Sequence, residues 1–223
     1  MILVTGTNQH QITALRRQLL HGGIISEKST FNTLISHLSS YPHTFAVLHI
    51  VEKRRPFLHN LILLAKHLYP NVLHGVLLME GCEIDAVSEN VFDFVLPISV
   101  KPKKLCEVIV HSAIAYRGIN PSELMAGSLR YRLFEKDFSL VLKRFSFSDA
   151  YTAVLLALME VYPQGLSSQS LMHFAFLPLG HRSRTNVSHA IDAINRRFSQ
   201  AGVTRDTNPL ICYDREKGYF LRS

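Results

Sequence analysis

Over the first 117 residues, short apolar runs alternate with stretches of helical spacing, and that order leaves few folds open. Strand candidates fall at 1–4, at Ile24-Ile25, and at 45–51, 75–79 and 92–96. The 45–51 run is broken only by His49, as expected of a strand buried on both faces. Helical spacing occupies the gaps. Ile12, Leu15 and Leu19 share one side of 11–20. Phe31, Leu34, Ile35 and Leu38 do so in 31–38. Residues 57–68 and 102–116 follow, the last with Leu105, Val108, Ile109 and Ala113 inward. Alternation of this kind predicts a five-stranded parallel sheet with helices on both faces, an α/β domain over 1–117.

The pattern then changes. Residues 118–127 hold Gly118, Pro121, Ser122 and Gly127 without strong periodicity, which predicts a linker. Short alternating segments at 129–133, 139–143 and 145–147 predict a small antiparallel sheet. Ser148 and Asp149 are placed to cap a helix over 150–161, and a second helix is expected over 168–176. A loop over 177–181 contains Pro178 and Gly180. In the helix expected over 183–200, Val187, Ala190, Ile191, Ile194 and Phe198 form one apolar face. The opposite side carries Ser188, His189, Asp192, Asn195 and Arg196. Two closing strands flank a turn around 216–218, so residues 128–223 form an α+β domain.

Composition narrows the function classes. The chain has 223 residues, enough for two ordinary domains. No apolar run approaches the roughly 18 residues of a membrane span. The start lacks a secretory pattern, so a soluble cytoplasmic protein with no membrane role is expected. Cys82, Cys106 and Cys212 lie too far apart for a metal knuckle or a disulfide framework. The net charge is +7. From Arg182 onward eight Lys/Arg face four Asp/Glu, so +4 of that excess lies around one helix and one hairpin. Basic charge so concentrated is a footprint for phosphate, and it favours a polyanionic partner such as double-stranded DNA.

Residues 128–223 resemble the winged-helix effector domain of OmpR/PhoB response regulators: a small sheet, three helices, then a hairpin. Val187, Ile191, Ile194 and Phe198 look like the apolar ribs of that family's recognition helix. Gly218-Tyr219 is similar to its closing Gly-Tyr, and Arg215 falls where the wing has an arginine. Asp192 departs from the pattern, where a basic or neutral residue is usual. It would repel phosphate or accept a hydrogen bond from a cytosine amine. The resemblance implies base-edge or phosphate contacts by Thr185, Asn186, Ser188, His189 and Asn195. Arg182, Arg184, Arg196 and Arg197 would hold phosphates, and Arg215 and Lys217 would act on the wing. It also implies that the 177–181 loop is available to RNA polymerase.

The first 117 residues resemble that family's receiver domain, a flavodoxin-like fold, in element order but not in chemistry. An active receiver has an acidic pair after its first strand, where this chain has Gly6 and Thr7. The phosphoaccepting aspartate at the end of the third strand is matched by His49. The Ser/Thr after the fourth strand is matched by Met79 and the lysine after the fifth by Pro97, although Lys101 lies close. Without paired carboxylates no hard oxygen site for Mg²⁺ remains. The resemblance therefore implies an atypical regulator that works without aspartyl phosphorylation. It implies a constitutive homodimer through the receiver-like domain, on a face that includes 102–116 and the strand before it.

Other chemistry is weaker. Ile2-Leu3-Val4-Thr5-Gly6 resembles the opening of a dinucleotide fold, but Gln9 and Ile12 stand where further glycines are needed. Twelve histidines are many, yet none forms an HExxH or an evident helical pair. His49 is the one expected to make a buried hydrogen bond or to titrate near neutral pH. Glu52-Lys53-Arg54-Arg55 is expected to be a solvated loop. No enzyme activity, cofactor or metal is expected. The alternative to DNA binding is an interaction adaptor that engages another regulator through either domain.

Overall fold

The computed structural model describes residues 1–41, 44–52, 56–82, 91–117, 122–179, 185–205 and 208–222; for 56–59, 117, 185 and 186 it describes the backbone. The chain divides into two compact units, Met1–Pro121 and Ser122–Ser223.

In the first unit, β1 (Ile2–Thr5), α1 (Gln9–His21), β2 (Ser26–Ser29), α2 (Leu34–Ser40), β3 (Ala46–Val51), α3 (Pro56–Leu68), β4 (Leu73–Leu78), β5 (Phe94–Pro97) and α4 (Pro102–Arg117) follow in order. The strands form one parallel sheet in the order β2-β1-β3-β4-β5. This is the doubly wound α/β fold expected from the alternation. β1 and β3 are buried along their whole length, as parallel strands covered on both faces must be. The Asn8 side chain caps α1 by accepting from the amides of His10 and Gln11. The sequence order reverses between β1 and β3, so the crevice at their carboxyl ends is where such a fold places a site.

Strand β2 differs from expectation. Ile24-Ile25 is buried but precedes the strand, which is the polar run Ser26-Glu27-Lys28-Ser29. The buried Arg16 side chain donates to the Ser26 carbonyl at 3.2 and 3.0 Å and lies 3.6 Å from the Glu27 carboxylate. Burial pulls the guanidinium below its ordinary value, and Glu27 opposes that shift. A polar strand is held at the sheet edge by an internal ion pair, which period-2 apolar patterning does not register.

The second unit begins with an antiparallel meander: β6 (Glu123–Ala126), β7 (Leu129–Arg132), β8 (Asp137–Leu140) and β9 (Lys143–Phe145). It continues through α5 (Asp149–Glu160), β10 (Gly165–Leu166) and α6 (Ser168–Leu171), which runs on as a π-helical turn Met172–Phe176. Helix α7 (Thr185–Gln200) and the strands β11 (Ile211–Asp214) and β12 (Gly218–Leu221) complete it, with a second sheet ordered β10-β12-β11. Small sheet, three helices and hairpin match the expected α+β order.

Two boundaries need correction. Part of the expected 118–127 linker is strand β6, paired with β7 through the two-residue turn Gly127-Ser128. Gly127 has φ 58°, the glycine-first geometry of a tight hairpin turn, so the glycine marked a hairpin rather than a linker. Residues 118–121 lie outside the described residues. The strand expected at 145–147 runs instead over Lys143–Phe145. The strand expected at 139–143 is interrupted by a turn at Val141-Leu142. Both residues have positive φ, 48° and 64°, where Asn-Gly is the usual choice and a β-branched residue is strained.

Five aromatic rings tie α7 to the meander. Phe198 lies 4.5 Å from Phe145 and 5.7 Å from Phe147, centroid to centroid. Phe138 meets Phe147 at 5.8 Å and Tyr131 at 4.7 Å. Phe138 and Phe198 are fully buried. Each such pair contributes roughly 0.5–1.5 kcal/mol beyond its burial, so α7 has one orientation on this core.

Candidate nucleic-acid interface

The orientation of α7 decides what it offers to solvent. Val187, Ala190, Ile191, Ile194 and Phe198 are buried, at the 3.6-residue spacing of one helix face. Ser188, His189, Asp192, Arg196 and Arg197 are exposed on the other sides. Thr185 and Asn186 form the first turn of the helix backbone, and Arg182 and Arg184 lie outside the described residues. Arg197 sits at one margin of the exposed side, its guanidinium carbon 5.8 Å from the Phe147 ring centroid. The Lys143 ammonium donates to the Ala201 carbonyl, a cation at the helix C-terminus where the dipole favours it.

Asn195 does not belong with the base-reading candidates. Its amide nitrogen donates to the Ile211 carbonyl at 2.9 Å, and its amide oxygen accepts from the Ile211 N–H at 2.9 Å. Ile211 lies in β11, at the open side of the β10-β12-β11 sheet, so Asn195 occupies backbone groups that no neighbouring strand pairs. The residue is a bracket that fixes the angle between helix and hairpin.

The hairpin is shaped locally. Asp214 accepts from the amides of Glu216 at 2.8 Å and Lys217 at 3.1 Å. The hydrogen bonds from Lys217 and then Glu216 hold its carboxyl below the ordinary range. Gly218 closes the three-residue turn at φ 77°, and a Cβ there would stand 2.4 Å from the Leu166 carbonyl oxygen. Only glycine fits. Arg215 and Lys217 are exposed on this turn, and the Lys217 ammonium rides 5.9 Å above the Phe220 ring. Helix face and hairpin together present Arg196, Arg197, Arg215 and Lys217 on one rigid unit. That combination can neutralise a line of phosphates while shorter polar side chains reach base edges.

In the first unit, the expected degenerate pocket is rearranged. His49 is not at the carboxyl edge. It lies inside β3, fully buried, with Nδ1 2.8 Å from the Thr5 hydroxyl and Nε2 3.1 Å from His74 Nδ1. Its ring centroid is 6.4 Å from that of Phe31 and 6.3 Å from that of Phe92. Burial, and secondarily His74, push its pKa well below the ordinary histidine value. The expected buried hydrogen bond is present; the expected titration near neutral pH is not. The residue directly after β3 is Glu52, which is half-buried and accepts from the Thr7 hydroxyl at 3.0 Å. It is thus no solvated member of a charge run; Lys53, Arg54 and Arg55 lie outside the described residues.

Around Glu52, the Cys82 thiol donates to its carbonyl at 2.7 Å, and the Gln11 amide donates to Met79 Sδ at 3.0 Å. Gly6 leaves room for Ile50, whose Cβ would be 3.2 Å from an added Cβ. Met79, Cys82 and Pro97 line an open cleft of about 480 Å³ between the ends of β4 and β5. Among the described residues no group of three or more His, Cys, Asp or Glu side chains could hold a metal ion, and no helix is long and apolar enough to cross a membrane.

No family model and no curated protein matches the chain. Solved structures do. A response regulator of Thermotoga maritima, DrrB, described as an OmpR/PhoB homologue, is 15% identical with a TM-score of 0.39, over 100% of this chain and 98% of that one. A mutant of RitR is 11% identical with a TM-score of 0.39, over 100% and 99%. A streptococcal redox sensor, described as evolved from two-component response regulators, is 11% identical with a TM-score of 0.38, over 100% and 98%.

Proposed function

We propose that the chain is a sequence-specific DNA-binding transcription regulator that works without aspartyl phosphorylation, as a homodimer through its first unit. The observation that carries the reading is the exposed side of α7, basic at Arg196 and Arg197, beside a hairpin whose turn exposes Arg215 and Lys217. In this reading α7 enters the major groove. Arg196 and Arg197, with Arg182 and Arg184, hold phosphates, and Arg215 and Lys217 take the adjoining minor groove or its phosphates. Ser188, His189, Thr185 and Asn186 are the polar candidates for base edges. Asn195 positions the helix.

Independence from phosphorylation rests on the residues at the carboxyl edge. Gly6 and Thr7 bring no carboxylate, and Glu52 stands after β3 with its oxygen engaged by Thr7. Incubation of the full chain with Mg²⁺ and a small phosphodonor leaves its mass unchanged; a gain of one phosphate would refute this part. For dimerisation, α4 exposes Ile114 and Tyr116, apolar surface suited to a second copy. Leu177, exposed at the start of the 3-10 turn Leu177–Leu179, is suited to contact with RNA polymerase.

Fluorescence anisotropy of the full chain on mixed duplex DNA, across a salt series, tests the DNA reading. Affinity falls steeply as salt rises, because neutralised phosphates release counterions. Arg196→Ala weakens binding about three- to tenfold on every sequence and flattens the salt slope by about one phosphate. No binding at low salt would transfer the function to protein–protein contact, which salt barely weakens when the interface is apolar.

A further inference from the structure

We infer that Asp192 selects the DNA site by requiring a cytosine in the major groove. The inference rests on the DNA-binding reading above and names the base class that reading leaves open. Asp192 is the one acidic side chain on α7. It lies mid-helix, away from the N-terminus where a carboxylate would cap or complement the dipole. The buried face of Val187, Ala190, Ile191, Ile194 and Phe198 points the opposite side of the helix outward. Asp192 falls along the middle of that side, one turn from His189 and one turn from Arg196.

Its carboxylate is exposed, and among the described residues it takes part in no hydrogen bond or ion pair. Arg196, four residues on, is the neighbour best placed to neutralise it, yet no such pair forms. Among the described residues, Asp192 therefore has no structural employment on this helix. The withdrawal of Asn195 into its bracket with Ile211 leaves Asp192 more central among the side chains able to reach a base.

A bare carboxylate on a basic surface is repelled by phosphate. It is tolerated in a complex only over the groove floor, opposite a donor. Guanine offers O6 and N7 acceptors there and thymine offers O4, so both repel it. Adenine sets its N6 amine beside the N7 lone pair. Cytosine alone presents an amine, N4, with no acceptor on its own base beside it. The flanking Arg196 holds the backbone while Asp192 tests the base, which joins affinity and discrimination on adjacent turns of one helix.

The full chain, Asp192→Ala and Asp192→Asn are each used to select from a randomised duplex pool. Anisotropy then follows on four duplexes that differ at the selected position. The wild-type protein prefers cytosine at one position by about tenfold. Asp192→Ala reduces that preference to within about twofold, chiefly by binding the three non-cytosine duplexes more tightly, since a charge repelling their acceptor edges and phosphates is gone. Asp192→Asn moves the preference toward adenine, which offers the matching donor–acceptor pair. DNA binding with every base preference unchanged in both variants would overturn the assignment and leave the DNA reading standing. Tighter binding with unchanged preferences would also overturn it, reducing Asp192 to a brake on phosphate contact. No binding by the wild-type chain at low salt would overturn the DNA reading and this inference together.

Discussion

Asn195→Ala destabilises the second unit by about 2–4 kcal/mol and weakens binding to all DNA sequences alike. The substitution deletes both hydrogen bonds to Ile211, whose residue is almost wholly buried. Each orphaned backbone group costs about 1–3 kcal/mol, because water cannot replace the lost partner. The effect lives on the packing link of the chain: β11 loses its bracket to α7, and the hairpin carrying Arg215 and Lys217 no longer has a fixed angle to Arg196. Urea unfolding of the second unit measures the stability loss. Competition between a selected duplex and random DNA measures the specificity ratio. A base reader would behave in the opposite way, with stability unchanged and specificity relaxed. Asn195→Asp separates the cases further. It keeps the acceptor for the Ile211 N–H but faces the Ile211 carbonyl with an oxygen, so it recovers only part of the loss.

Why the sequence placed Asn195 among the readers is itself physical. Helical spacing tells which side chains share a sector, and Asn195 borders the exposed one. It cannot tell that Ile211, sixteen residues later, brings an open strand edge to the same place. The apolar runs of β1, β3 and β4 were legible because a strand buried on both faces is written in consecutive hydrophobic residues. β2 was not, since Ser26-Glu27-Lys28-Ser29 owes its place to Arg16 rather than to its own polarity pattern. The hairpin at Val141-Leu142 was misplaced for lack of the Asn-Gly signal its backbone conformation ordinarily demands. At the first unit's edge, His49 drew attention as the only polar residue within an apolar run. The sequence could have yielded Glu52 instead, because strand β3 continues through Val51 and a carboxylate follows at once.

Lowering the pH from 7 toward 5 destabilises the first unit, and His49 contributes to that loss. Its folded pKa lies well below the ordinary value because the ring is buried, and because His74 stands against it. The unfolded chain takes up a proton near pH 6.5, while the folded chain excludes it. The group's contribution to stability is therefore complete above about 6.5 and is lost as pH falls, at about 1.4 kcal/mol per pH unit until the folded pKa is reached. Protonation would place a charge between Phe31 and Phe92 in a site whose two ring nitrogens already face Thr5 and His74. His49→Gln keeps a polar group between the same partners but does not titrate, so its stability starts lower and declines less steeply. Chemical unfolding of both proteins at pH 7, 6 and 5 measures the difference in slope. Parallel pH slopes for the two would remove His49 as the source. A steeper slope in the wild type assigns that part of the acid sensitivity to the Thr5–His49–His74 chain, which crosses β1, β3 and β4.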